Sequence, residues 1–321
     1  MGNLLTVRDL NVTYVNKNRR VKAVRHADLD INKGDSLGIV GESGSGKSTL
    51  AMALLRLHAK STEVTGEAMF DGKDLIHISN EEMNELRWTK ISVVFQKAMN
   101  ALSPVHRIRT QVEDIYRVHF PEATDEEIKT RTLEVLKLVN LSDRVYDLYP
   151  HEMSGGMLQR VAIAISLLHT PDLLIFDEAT TALDVVTQGQ ILKEIVEMEQ
   201  TLHTTRIMIT HDMSVVATTC NRVAVMYAGE LVEVGDVKAV LKEPSHPYTQ
   251  GLLASFPSLT GERTKLTAIP GFLPDLSSEI KGCVFAPRCP YATDKCRAEK
   301  PNMRKDANGS DVACWRVGGE A

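Results

Sequence analysis

The sequence predicts an α/β fold with an antiparallel β portion, an inserted helical segment and a small loop-rich module at the C-terminal end. Three observations predict it: one glycine-rich loop between a strand and a helix, a series of short apolar runs that end in polar residues, and a late shift in proline and cysteine content. The loop is Gly41-Glu42-Ser43-Gly44-Ser45-Gly46-Lys47-Ser48-Thr49, which reads G-x-x-x-x-G-K-S, the phosphate-cradling P-loop pattern. Residues 37–40 before it form an apolar run of strand type, and residues 50–55 after it are strong helix formers. Such a turn aims backbone N–H groups at a phosphate, at a helix end that carries about half a positive charge. Glycines at 41, 44 and 46 leave room for oxygens and allow φ > 0. Lys47 can reach the outer phosphates, and the Ser48 hydroxyl can hold Mg²⁺.

Composition bounds the rest. The 321 residues suffice for one large or two domains, and 43% hydrophobic content allows a full core. A net charge of −5 argues against a general nucleic-acid coat. No apolar run approaches the length of a membrane span, and the N-terminus lacks the pattern of a secretory signal.

Along the chain, residues 4–10 and 28–31 alternate as strands do, and Lys33-Gly34 makes a turn before the P-loop strand. Residues 67–70 followed by Asp71-Gly72 look like half a hairpin, and 81–87 is a short helix. Residues 91–95 form a buried strand that delivers Gln96. The pattern over 112–139 is helical, with a Thr124-x-x-Glu127 capping box and Ile128, Thr132, Val135 and Val139 on one face. Ser154-Gly155-Gly156 opens a helix running to residue 168. Residues 173–176 are a second buried strand ending in Asp177-Glu178, 185–202 is a long helix, and 206–210 is a third strand ending in His211. Ligands gather at such strand ends in open parallel sheets, so Gln96, Asp177, Glu178 and His211 are expected to converge with the P-loop.

That convergence assigns chemistry. Asp177 would support Mg²⁺ beside Ser48. Glu178, next to another carboxylate and to phosphate charge, should have a raised pKa, which suits a group taking a proton from attacking water. His211 would contact the γ-phosphate and hold the water or the glutamate, and Gln96 would bridge Mg²⁺ and the water. Each is weak evidence alone. About 130 residues after a P-loop, the Asp-Glu pair gains most from its context.

Together these residues resemble the nucleotide-binding subunit of an ATP-binding cassette (ABC) transporter. The P-loop, Gln96, the signature Ser154-Gly155-Gly156, the run 173–177, Glu178, Ala182-Leu183-Asp184 and His211 occur in the family order over residues 4 to about 240. Tyr14 lies where the family stacks an aromatic on adenine. The signature departs from LSGGQ, with Met157 in place of glutamine, as in the peptide-importer branch. The resemblance implies that one subunit's P-loop, with Gly41, Ser43, Gly44, Ser45, Gly46, Lys47, Ser48 and Thr49, and another's Ser154-Gly155-Gly156 and Asp184 sandwich one ATP. It also implies that closing and opening of this pair drives membrane subunits.

Eight of the twelve prolines lie at or beyond Pro244, and four of the five cysteines fall within the last 40 residues. The expected division is a nucleotide-binding domain over 1–250, with a helical subdomain inserted at about 97–160, and a C-terminal module over 251–321. The segment from His246-Pro247-Tyr248, then Phe256-Pro257, Gly271 and Pro274, and Cys283-x-Phe285-Ala286-Pro287-Arg288-Cys289-Pro290 is similar to the tail of dipeptide and oligopeptide permease ATPases, much of which nickel importers share. Cys283, Cys289, Cys296 and Cys314 are spaced C-x₅-C-x₆-C-x₁₇-C. A 4Fe-4S cluster, a zinc ion and unmetallated thiols all remain open. The cluster is favoured because it tolerates varied spacing and because some permease ATPases with this tail are associated with one. Disulfides are disfavoured in a cytosolic ATPase.

The expectation is an ATPase subunit that uses ATP and Mg²⁺ to power peptide import from the cytoplasmic face of the membrane. It would pair with a second ATP-binding subunit, or with its own copy in isolation. Two membrane permease subunits would complete the transporter, an external peptide-binding protein would act indirectly, and no nucleic acid would be involved. The rivals are an importer ATPase for nickel or another small solute, and a soluble ABC ATPase outside transport.

Overall fold

A computed structural model of the chain describes residues 2–17, 19–96, 98–181, 183–255 and 268–318. Ala182 and Phe256-Pro257 lie outside the described residues. The chain divides into two compact units, Met1–Ile78 with Ile209–Ala321, and Ser79–Met208.

The first unit opens with two long antiparallel strands, β1 (Asn3–Asn16) and β2 (Arg19–Asn32). The alternation expected over 4–10 continues much further because a bulge resets it. Asp9 adopts φ +43°, and its N–H donates to Asp28 Oδ1 at 2.9 Å. The register shifts there, and Leu10 and Val12 return to the buried face. Next come β3 (Ser36–Val40), buried throughout, α1 (Lys47–Leu54), β4 (Thr62–Phe70) and the short β5 (Lys73–Asp74). The order β2–β1–β4–β5 makes a four-stranded antiparallel sheet.

The second unit starts with α2 (Asn80–Leu86), held by a capping box between Ser79 and Glu82, and β6 (Ile91–Val94). The helical stretch expected over 112–139 is two helices, α3 (Ile108–His119) and α4 (Asp125–Leu138). Pro121 cannot donate into a helical ladder and holds Phe120 out of the helical region. Thr124 and Glu127 then form the expected capping box, with Ile128, Thr132, Val135 and Val139 buried. Helix α5 (Gly155–Ser166), β7 (Leu173–Asp177), α6 (Val185–Leu202) and β8 (Thr205–Thr210) follow. Strands β6 and β7 are parallel, in the order β8–β7–β6. A largely buried ion pair, Arg160 with Glu194, joins α5 to α6 through two hydrogen bonds of 2.8 and 2.9 Å.

The chain then completes the first unit with α7 (Met213–Thr219), β9 (Arg222–Tyr227), β10 (Glu230–Asp236), α8 (Val237–Lys242) and α9 (Pro247–Ala254). Among the described residues after α9 come a 3-10 turn (Ala286–Arg288), α10 (Asp294–Ala298), β11 (Arg304–Lys305) and β12 (Asp311–Val312). The strand order is β11–β12–β10–β9–β3, with β9 parallel to β3 and antiparallel to β10. Val284 and Phe285, from the loop between two of the clustered cysteines, share one core with Val40, Val225, Tyr227 and Tyr248. The rings of Tyr227, Tyr248 and Phe285 sit with centroids 4.6–5.4 Å apart. Cys220 packs against this core half-buried.

Candidate functional site

In the first unit the loop from 41 to 46 leaves the buried strand β3 and enters α1, as the sequence predicts. Two of its glycines sit in positions too crowded for a side chain. A Cβ at Gly41 would come within 2.1 Å of the Met226 carbonyl oxygen, and one at Gly46, where φ is +104°, within 2.3 Å of the Ala23 carbonyl oxygen. At Gly44, where φ is +81°, a Cβ would have the Leu273 side chain at 3.6 Å, an ordinary contact. At 41 and 46 this chain's own backbone thus leaves no space for a side chain. Gly46 is the N-cap of α1, so the helix N-terminus opens directly onto the loop.

Lys47 is buried, and its Nζ donates to the carbonyls of Gly41 at 2.8 Å and Glu42 at 2.9 Å, with Ser45 Oγ at 3.4 Å. This folds the lysine back along the loop, where its charge faces the cradle. Ser43, Gly44 and Ser48 are exposed, Ser45 is buried and Thr49 is half-buried. Tyr14 Oη lies 3.1 Å from Thr49 Oγ1, which fixes an exposed ring beside the first turn of α1. His211 stands exposed just after β8.

In the second unit, Asp177 is the buried last residue of β7, and Glu178 follows it half-buried. Glu178 adopts φ +48°, a conformation that strains a non-glycine residue by about 1–3 kcal/mol. The strained turn brings its carboxylate to Gln96, whose Nε2 donates to Glu178 Oε2 at 2.8 Å. Two residues expected to act together, 82 apart in sequence, are therefore in contact. Ser154 is the N-cap of α5, with Oγ accepting from Met157 N–H at 3.3 Å, and Ser154 and Gly155 are exposed. Gly156 passes so close to α6 that a Cβ would meet Thr187 Cγ2 at 2.7 Å. Asp184 caps α6, its Oδ1 accepting from the N–H groups of Val186 and Thr187. Those bonds, Thr187 first, hold its carboxyl below the usual range.

Cys283, Cys289, Cys296 and Cys314 line one small cavity in the first unit, with Phe285, Trp315 and Tyr291 around it. None of the five cysteines forms a disulfide. Among the described residues no group of three or more His, Cys, Asp or Glu is close enough to hold a metal ion. Burial raises the thiol pKa of Cys283 to about 11 and pushes those of Cys289 and Cys314 upward, so without a cation these groups are neutral.

Two residues with no assigned sequence role touch the phosphate loop. Tyr248 Oη accepts from Glu42 N–H at 2.9 Å, and Arg288 pairs with the Glu42 carboxylate at 2.9 and 3.1 Å. The similarity of their segments to a known tail was visible. Their contact with residue 42, more than 200 positions away, was not.

The strand, loop and helix of the first unit define a P-loop nucleotide-binding protein. The family model described as ABC transporter matches residues 24–181, and that described as oligopeptide/dipeptide transporter, C-terminal region, matches residues 232–296. The oligopeptide transport ATP-binding protein OppD of Haemophilus influenzae is 42% identical over 317 residues, covering 98% of each chain. The dipeptide transport ATP-binding protein DppD of Escherichia coli is 38% identical over 314 residues, 97% of this chain and 96% of its own. Among solved structures, the dimeric post-hydrolysis state of the ATP-binding cassette MJ0796 bound to ADP and Pi has a TM-score of 0.64 and 29% identity, covering 73% of this chain and 98% of that one. The chain belongs to the ABC transporter family, in the branch that carries the oligopeptide/dipeptide transporter C-terminal region, and is an ATPase.

Proposed function

We propose that this chain is the ATP-hydrolysing subunit that powers import of dipeptides or oligopeptides through a membrane ABC transporter. The observation that carries the substrate class is the end-to-end match to peptide-transport ATP-binding proteins, with the C-terminal region at 232–296 included. Residues 1–250 serve as the nucleotide-binding domain, with a helical subdomain over about 97–160, and 251–321 as the C-terminal module.

In this reading the loop amides and Lys47 hold the β- and γ-phosphates, and the exposed Tyr14 ring stacks on adenine. Ser48, Gln96 and Asp177 hold Mg²⁺, which neutralises charge on the phosphates. Glu178 takes the proton of the attacking water, and Gln96 and His211 orient the water and the γ-phosphate. The Gln96–Glu178 hydrogen bond supports the pairing, because it aims the carboxylate from a strained turn. Ser154, Gly155, Gly156 and Asp184 face the ATP of a second ATP-binding subunit, or of a second copy. Val185 and Val186, 84% and 71% exposed beside Asp184, support a partner surface there. Among the described residues no helix is long and apolar enough to cross a membrane, so passage depends on two permease subunits, with a peptide-binding protein acting indirectly. The place of work is the cytoplasmic face of the membrane.

Glu178→Gln keeps the shape and removes the proton acceptor. ATP binding should persist while turnover in the assembled transporter falls by about 10²- to 10⁴-fold. Parent-like phosphate release would remove Glu178 from the role.

We also propose that the four clustered cysteines hold a 4Fe-4S cluster rather than a single zinc ion. They line one common cavity, and a cluster tolerates the varied spacing C-x₅-C-x₆-C-x₁₇-C, which supports that reading. Anaerobically purified chain should be brown, with iron and sulfide by analysis. A colourless preparation containing zinc would reverse the assignment.

A further inference from the structure

Glu42 is the second residue of the phosphate loop, and it is held from every side. Its N–H donates to Tyr248 Oη at 2.9 Å, and its carbonyl accepts from Lys47 Nζ at 2.9 Å and from Ser45 N–H at 3.1 Å. Its carboxylate takes a bidentate pair from Arg288, whose side chain is 5% exposed. Arg288 lies in the loop between Cys283 and Cys289.

A guanidinium has five N–H donors in a fixed fork, and here each has an acceptor. Nη1 donates to Glu42 Oε2 at 2.9 Å and Tyr227 Oη at 3.3 Å, and Nη2 to Glu42 Oε1 at 3.1 Å and the Ile269 carbonyl at 3.0 Å. Nε donates to the Pro270 carbonyl at 2.8 Å. One side chain of the C-terminal module therefore fixes both the loop residue on which Lys47 rests and the strand of chain that brings Leu273 against Gly44.

We propose that Arg288 is a positioning residue of the ATP site, acting through Glu42, so that the C-terminal module is a working part of the phosphate loop. This rests on the reading of residues 41–48 as an ATP-binding loop. Two physical consequences follow from the geometry. Arg288 neutralises a carboxylate that would otherwise repel the incoming triphosphate. It also fixes the Glu42 carbonyl, and with it the starting position of the Lys47 ammonium. A lysine at 288 would keep the charge but could not bridge two carboxylate oxygens, a hydroxyl and two carbonyls at once.

The test is a double-variant cycle on the full-length chain, reading MgATP affinity by calorimetry beside the thermal unfolding midpoint. Arg288→Ala should weaken MgATP binding by about ten- to a hundredfold, the range for losing a charge-assisted pair. Arg288→Lys should recover only part of that loss. In a Glu42→Ala background, Arg288→Ala should change affinity by less than about threefold, because the group it acts through is gone. An equal loss in both backgrounds would overturn the proposal, as would a lowered unfolding midpoint with affinity intact, since either marks a plain structural anchor. If Arg288→Ala does not fold, Arg288→Lys carries the test, and parent-like affinity in that variant would overturn the proposal equally. A parent chain that does not bind MgATP at all would instead refute the phosphate-loop reading.

Discussion

Around the phosphate loop, a Cβ added at Gly41 or Gly46 would first meet a backbone carbonyl, that of Met226 or of Ala23. Around the cysteine module the neighbours are side chains: Trp315 lies under Lys295 and Arg304, Tyr291 under Arg316, and Phe285 against both Tyr227 and Tyr248. The loop is a mould in which only glycine fits at certain places. The module is a set of short elements pinned by rings, charges and thiols, where several residue types would serve if the contacts were kept. The two lie in the same unit and meet at Glu42 and Arg288. A change in the mould should therefore act first on nucleotide binding, and a change in the pins first on stability.

The largest effect should come from Gly46→Ala. Its φ of +104° is outside the comfortable range of an L residue, and its Cβ would press on a backbone oxygen that no rotamer can move. MgATP affinity should fall by at least about 100-fold, because the entrance to α1 must shift. A Gly46→Ala chain that binds MgATP like the parent would break the distinction between mould and pins.

The same distinction explains what the sequence revealed. Residues 41–49 are contiguous, so their spacing was enough to place the loop between β3 and α1. Gln96 and Glu178 were legible because each ends an apolar strand, and β6 and β7 prove to be parallel neighbours. The full length of β1 was not legible, because the bulge at Asp9 breaks a period of two that resumes beyond it. The break between α3 and α4 was hidden by helical spacing on both sides of Pro121. The grip of Arg288 on Glu42 was out of reach, because no local pattern encodes a contact 246 residues long.

A pH effect tests the pins next. His246 is 1% exposed, and burial pulls its imidazole down to about 3. The ring also accepts a hydrogen bond at Nδ1 from Tyr248 N–H at 3.0 Å, which a protonated nitrogen could not do. With a folded pKa below the unfolded value near 6.5, the unfolded chain binds more protons. Stability from this group is therefore present above pH about 6.5 and is lost as pH falls from there toward 3. Glu233, whose oxygens accept from the N–H groups of Ser245 and His246, has the opposite sign. Burial pushes its carboxyl upward, so acid relieves it and offsets part of the loss. His246→Asn keeps a side-chain acceptor at this helix cap without the titration. Urea unfolding between pH 7 and about 5 should then show a flatter dependence than in the parent. An unchanged slope would remove His246 as its cause.

The smallest effect should be at Lys295, whose Nζ lies 4.0 Å from the Trp315 ring centroid. The Arg304 guanidinium approaches the same ring at 5.2 Å, and the indole N–H donates to the Glu299 carbonyl at 3.3 Å, so Trp315 keeps other holds when Lys295 is cut back. Trp315 is buried and Lys295 half-buried, and a cation over such a ring contributes about 0.5–2 kcal/mol. Lys295→Ala should lower unfolding stability by that order and leave MgATP affinity within about twofold of the parent. Lys295→Met separates the two parts of the contact, since it keeps the apolar stem over the indole and removes only the charge. If the methionine chain is as stable as the parent, the stem rather than the cation holds the ring. If either variant weakens MgATP binding tenfold, the pins reach the phosphate loop by a route other than Arg288, and the division between mould and pins would have to be redrawn around Trp315.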